Sequence, residues 1–105
     1  MEKNNKLIAE FMGVYSEENG YDYTKIGNLG VMYDKSWDCL MPVIEKIESL
    51  SDTKGDFYRF TITMYDASIK GTDIEVLGDA YYEGSEQKIV STYQAVVEFI
   101  KEYNN

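Results

Sequence analysis

Two segments with helical spacing, residues 36–50 and 84–103, constrain this chain most, because each carries an apolar stripe that a lone helix cannot bury by itself. In the first, Ser36-Trp37-Asp38-Cys39-Leu40-Met41-Pro42 leads into Val43-Ile44-Glu45-Lys46-Ile47-Glu48. Leu40, Val43, Ile44, Ile47 and Leu50 fall on one stripe, and Glu45, Lys46, Glu48 and Ser49 cover the outer side. Ser36 or Asp38 can cap this helix by accepting a hydrogen bond from a first-turn amide. Pro42 lacks an N–H and belongs near a helix start, so a first turn at residues 37–41 continues, or kinks, into 42–50. In the second segment Gly84, Ser85 and Glu86 open a helix with Ile89, Tyr93, Val96, Ile100 and Tyr103 on one face, widened by Val97 and Phe99. Gln94, Glu98, Lys101 and Glu102 face water.

The surface these stripes need is supplied by residues 57–65, which alternate as a strand does. Tyr58, Phe60, Ile62 and Met64 take one face; Phe57, Arg59, Thr61, Thr63 and Tyr65 take the other. Residues 66–72, with Gly71, read as a hairpin connection, and residues 73–77 as the returning strand, ended by Gly78. Near the start, Leu7, Ile8, Phe11 and Met12 recur at helical spacing, with Asn4 or Asn5 as cap and Gly13 as terminator. Residues 13–30 hold four glycines and read as a long loop with a short strand near 21–24; residues 31–33 form an extended lead into the Trp37 helix, and residues 51–56 a turn. The expected fold is α+β: a small layered sandwich of about three helices around a short antiparallel sheet, with residues 1–105 as one domain.

Composition narrows the chemistry. The net charge is -9, from 19 acidic and 10 basic residues, which opposes direct nucleic-acid binding because phosphate contacts need Lys and Arg. The chain has no histidine, which removes the commonest general base and transition-metal ligand. Cys39 is the single cysteine, so no intrachain disulfide can form, in keeping with a reducing cytosol. Its place near a helix start makes it a candidate reactive thiol, but a buried, inert thiol is the expectation. No apolar run approaches the roughly 20 residues that cross a bilayer, and residues 1–6 lack an apolar signal core. A cytoplasmic protein with no membrane association and no cofactor is expected. Gly27-Asn28-Leu29-Gly30 lacks the lysine and spacing of a phosphate-binding loop.

Three blocks, in order, carry a resemblance. They are Ile8-Ala9-Glu10-Phe11-Met12-Gly13, residues 33–48 from Tyr33 to Glu48, and Tyr93-Gln94-Ala95-Val96-Val97-Glu98-Phe99-Ile100-Lys101. They resemble the opening helix, the tryptophan segment and the closing helix of the phage ABA-sandwich domain family. Its members are short proteins of phages and mobile elements, mostly from gut Bacteroidetes. The family's tryptophan segment runs Tyr-His-x-Ser-Trp-Asp-Trp-Leu-Met-Pro-Val-Val-Glu-Lys-Ile-Glu. Asp34 stands here in place of its histidine and Cys39 in place of its second tryptophan. The resemblance implies helix and sheet layers and a phage or mobile-element setting; it implies no activity. It leads us to expect Trp37 packed over the sheet or against the first helix.

Ten tyrosines and one tryptophan are too many to be all core. Tyrosine and tryptophan pair an apolar ring with a polar tip and are favoured at contact surfaces. Tyr15, Tyr21, Tyr23, Tyr81 and Tyr82 fall in expected loops. Tyr81-Tyr82-Glu83, just ahead of a helix start whose amides can hold an anion, is the leading contact site, with Trp37, Tyr21 and Tyr23 beside it. Asp34, Asp38 and Glu83 make a carboxylate site only if the fold brings them together; no calcium-loop spacing is present. These features lead to a non-enzymatic binding protein of phage or mobile-element origin. It would inhibit a host (defence) protein or sequester a small ligand, and would be able to form homo-oligomers through its sheet edges. The alternative is a structural or assembly accessory with no specific ligand.

Overall fold

The computed structural model describes residues 2–26, 30–80, 84 and 86–105. Tyr81, Tyr82 and Glu83 lie outside the described residues. The elements are α1 (Glu2–Phe11), β1 (Tyr15–Ser16), β2 (Gly20–Tyr21), α2 (Tyr23–Ile26), α3 (Trp37–Ser49), β3 (Arg59–Ile62), β4 (Ala67–Lys70), β5 (Glu75–Gly78) and α4 (Gln87–Tyr103). This is the expected α+β class, with a two-stranded sheet β1-β2 and a three-stranded antiparallel sheet in the order β3-β4-β5.

The larger sheet is one strand richer than expected. Residues 67–70, read as a connection, form its central strand, and the alternation at 57–65 yields only the short β3. Thr63 and Asp66 explain the shortening. The Thr63 amide donates to the Asp66 carbonyl at 2.8 Å, and its hydroxyl to the Asp66 carboxylate at 2.7 Å. That closes a four-residue turn and leaves Met64 and Tyr65 exposed at its tip. The register stacks Arg59, Lys70 and Glu75 in one row and Phe60, Ile69 and Val76 in the next. Thr61, Ser68 and Leu77 form a third row, and Ile62, Ala67 and Gly78 a fourth. Alternate rows face opposite ways. The Phe60 and Ile62 rows turn inward, while Arg59, Thr61, Lys70, Glu75 and Leu77 are exposed on the outer face.

Helix α4 lies along the inner face, against β4 and β5; α1 and α3 also pack against α4, and α3 reaches β3. Being covered from several directions, it buries Ser91, Thr92 and Ala95 as well as the expected stripe as far as Ile100, while Tyr103, the last residue of that stripe, is partly exposed. Ser91 meets its need by donating to the Gln87 carbonyl at 2.8 Å. Among the described residues the fully buried Thr92 hydroxyl has no hydrogen-bond partner. A buried, unsatisfied hydroxyl costs stability. Thr92→Val keeps the shape and removes that cost, so it is expected to raise stability by about 1 kcal/mol, or roughly 4 °C in a thermal melt. A lower midpoint would show that the hydroxyl is satisfied.

In α3 the expected stripe is buried at Leu40, Val43, Ile44 and Ile47, as is Cys39. The helix runs unbroken through Pro42. The bond lost is the one that the Asp38 carbonyl would accept, and both residues are on the exposed side, where water can replace it. Ser36 takes the extended cap conformation, but its side chain makes no capping bond. Helix α1 begins at Glu2 and takes in Asn4 and Asn5, which were expected as caps. Asn5 is used across the fold instead: its amide donates to Asp34 at 3.1 Å, and its carbonyl accepts from the Tyr93 hydroxyl at 2.9 Å. Burial pushes the Tyr93 phenol up to about 12. The far end of α1 is tied to α3 by Lys46, whose ammonium donates to the Phe11 carbonyl and lies 4.5 Å from the Phe11 ring centre. Residues 31–33 are not extended: the Lys35 and Ser36 amides both donate to the Met32 carbonyl in a turn.

Candidate functional site: an aromatic groove on the first hairpin

Residues 13–26, expected as a loop with one short strand, form a hairpin and a helical turn. Gly13, at φ +77°, lets the chain leave α1 in a conformation that other residues resist, and Gly20, at φ +69°, does the same on entry to β2. Between them Ser16 accepts from the Asn19 amide at 3.1 Å, which closes the tip. Tyr15 is then paired with Tyr21 and Ser16 with Gly20. The Asp22 amide donates to the Val14 carbonyl at 2.8 Å and extends this pairing by one step.

Asp22 next starts α2. Its carboxylate accepts from the Thr24 amide at 3.1 Å and the Thr24 hydroxyl at 2.5 Å, the side-chain capping typical of a helix start. The Thr24 hydroxyl bond is the main reason why the Asp22 carboxyl sits below its ordinary pKa. Lys25, one turn on, is 4.0 Å away in an exposed pair that contributes little to stability.

The result is a row of three rings. Tyr15 and Tyr21 lie 4.8 Å apart between centres at 55°, and Tyr21 and Tyr23 6.3 Å apart at 43°, both within the range of favourable aromatic pairs. The Lys6 ammonium lies 5.6 Å from the centre of the Tyr15 ring. Tyr15 and Tyr21 are half-buried against the core, while Tyr23 is 76% exposed. The rings border an open groove of about 600 Å³, whose other walls include Asn19, Asp22, Thr24 and Lys25. That size is within the range of small-molecule sites. These groups can stack on a planar or apolar surface and exchange hydrogen bonds at its rim.

Of the expected contact residues, Tyr21 and Tyr23 are thus brought together. Trp37 is the first residue of α3 and is 38% exposed, so it is covered in part. Asp34 is engaged by Asn5, whereas Asp38 and Cys39 border a separate small cavity of about 120 Å³. Cys39 is buried, with its thiol 3.9 Å from the Gly30 carbonyl. Among the described residues no group of three or more acidic, cysteine or histidine side chains could hold a metal ion. Tyr15, noted only as one loop tyrosine among several, is the inner end of the row, against Tyr21 and packed on the core. Asn19-Gly20 is a hairpin signal, but a two-residue turn at those positions would pair residue 18 with Tyr21; the actual connection is residues 17–19, with Gly20 inside β2, and that register is what pairs Tyr15 with Tyr21. No helix among the described residues is long and apolar enough to cross a membrane. The chain matches no protein-family model, no curated protein and no solved structure.

Proposed function

We propose that this chain is a non-enzymatic binding protein and that the Tyr15, Tyr21 and Tyr23 groove is its contact surface. One observation carries the reading: three tyrosines are held in fixed mutual geometry, with the outermost presenting most of its ring to water. Tyrosines ordered before binding lose little side-chain freedom on contact and are frequent hot spots. The absence of histidine from the sequence favours contact over catalysis, and Asp22, the carboxylate bonded to the Thr24 hydroxyl in the groove, is held below its ordinary pKa and so is a weak base. The resemblance to phage ABA-sandwich proteins supports a phage or mobile-element origin. The occupant is then a host protein, a defence component among them, or a small ligand. The acidic balance favours a site in the host cytoplasm away from nucleic acid and membrane.

Native mass spectrometry of the untagged protein purified from host cells tests this, with Tyr23→Ser alongside. Wild type is expected to retain an additional mass, and Tyr23→Ser to bind that species about 30-fold more weakly, at an unchanged melting temperature. Equal retention by the variant would remove the groove from consideration.

A second reading, an assembly accessory that self-associates, is favoured by the larger sheet. Among the described residues its edge strands β3 and β5 each pair on one side only, and Leu77 is 51% exposed on its outer face. Copies of the chain as the only associated mass would support it.

A further inference from the structure

A second groove, of about 330 Å³, opens on the outer face of the larger sheet, far along the sequence from the tyrosine hairpin. Two cations line it. Arg59 and Lys70 are cross-strand partners in the β3–β4 register, both exposed, and neither is within 4.0 Å of a described carboxylate. Like charges placed directly opposite on a sheet repel. Glu75 stands opposite Lys70 on the other side of the row, on β5, but among the described residues it does not line the groove, so it is the Arg59 and Lys70 side of the row that faces the groove. Phe57 shares the face at two residues' spacing from Arg59, lines the same groove and is 62% exposed. A large exposed ring next to paired cations is costly for a surface with no occupant and useful for one with an anionic, planar occupant.

The walls are fixed beforehand. Asp52, 8% exposed, accepts at one carboxylate oxygen from the Lys54 and Asp56 amides, at 2.9 and 3.0 Å, and at the other from the Thr72 amide at 2.9 Å. It therefore ties the 52–56 turn to the turn after β4 and spends its own charge on backbone donors, chiefly Thr72, which hold its carboxyl down at about 2. Gly71 completes the joint: a side chain there would lie 2.5 Å from the Tyr58 ring. Among the described residues Asp56 is the one other carboxylate lining the groove.

We propose that this groove binds a small molecule with a planar ring and an anionic group, the chemical class of nucleoside monophosphates, with the anion between Arg59 and Lys70 and the ring on Phe57. The site is separate from the tyrosine groove, and its success or failure does not bear on that reading.

The test is a titration of the isotope-labelled full chain with adenosine monophosphate, inorganic phosphate and adenosine, followed by two-dimensional amide spectra. Adenosine monophosphate is expected to shift the amides of residues 56–59 and 70–72 and to bind at least about 5-fold more tightly than phosphate or adenosine alone. Arg59→Gln and Lys70→Gln should each weaken it about 10-fold, and Phe57→Ala should reduce it to the level of phosphate. All three positions are exposed, and unchanged amide positions elsewhere in the spectrum verify that the variants are folded. Phosphate binding as well as the nucleotide would overturn the role of the ring. Shifts confined to other residues, or none with any probe up to about 10 mM, would overturn the site.

Discussion

Gly78→Ala is expected to lower stability by about 3 kcal/mol or more, at the upper end of what overpacking costs. A methyl group built at Gly78 would lie 2.0 Å from the Ser91 carbonyl oxygen and 2.7 Å from the Ala95 amide nitrogen. Both are backbone atoms of α4, so no side-chain rotation relieves the clash. The helix must move away from β5, and it is the helix on which the sheet, α1 and α3 all pack. Against a total of roughly 5–15 kcal/mol for an ordinary domain, that loss leaves little reserve. The melting temperature should fall by roughly 15 °C, read by circular dichroism. A fall below about 3 °C would mean that α4 can separate from β5 at almost no cost.

Phe99→Ala should cost about 3–5 kcal/mol by a different route, the lost transfer energy of a large ring and the cavity it leaves. Phe99 is fully buried; its ring lies 4.8 Å from Tyr58 in an edge-on contact and 5.5 Å from Tyr103, nearly parallel. Tyr58 is itself pinned, its hydroxyl donating to Asp73 at 2.7 Å, so it cannot swing in to fill the space. Burial, with this Asp73 bond next, holds the Tyr58 phenol well above its ordinary range, so the contact stays intact through neutral and mildly alkaline pH. Urea unfolding should show a lower midpoint at an unchanged slope. Tyr103→Ala, at a ring that is 41% exposed, should cost clearly less. Equal losses at the two positions would place the weight of this cluster on its rim instead of on Phe99.

The parts of this fold that were legible in the sequence are those where one periodicity runs long enough to outweigh its neighbours. Helices α3 and α4 each have several apolar residues at regular spacing, and their stripes are buried as the spacing requires. Strand β4 was not legible. Ala67-Ser68-Ile69-Lys70 has one strong strand former, and its small residue is there for the close approach of α4, which is a property of the assembled layers. Asn5 was misread for a related reason: its local role as a cap and its long-range role between Asp34 and Tyr93 exclude each other, and only the tertiary structure decides. The candidate site shows the same division. Tyr21 and Tyr23 stood out as aromatic residues in a glycine-rich loop. Their convergence with Tyr15 depends on left-handed glycines and on Asp22, whose effects lie in geometry. Arg59 and Lys70 could not be seen as neighbours until β4 supplied the register.

The Ile62, Ala67 and Gly78 row has one more consequence. Toward its N-terminal half, α4 meets glycine and alanine and comes within backbone contact; toward its C-terminal half, Phe99 and Tyr103 hold it off through the ring of Tyr58. The layer between helix and sheet is therefore a taper, bolted at the thin end and cushioned at the thick one. Loosening should begin at the cushioned end, where Tyr103 is partly exposed in the last turn, and amide protection should rise along α4 from there back toward Ser91.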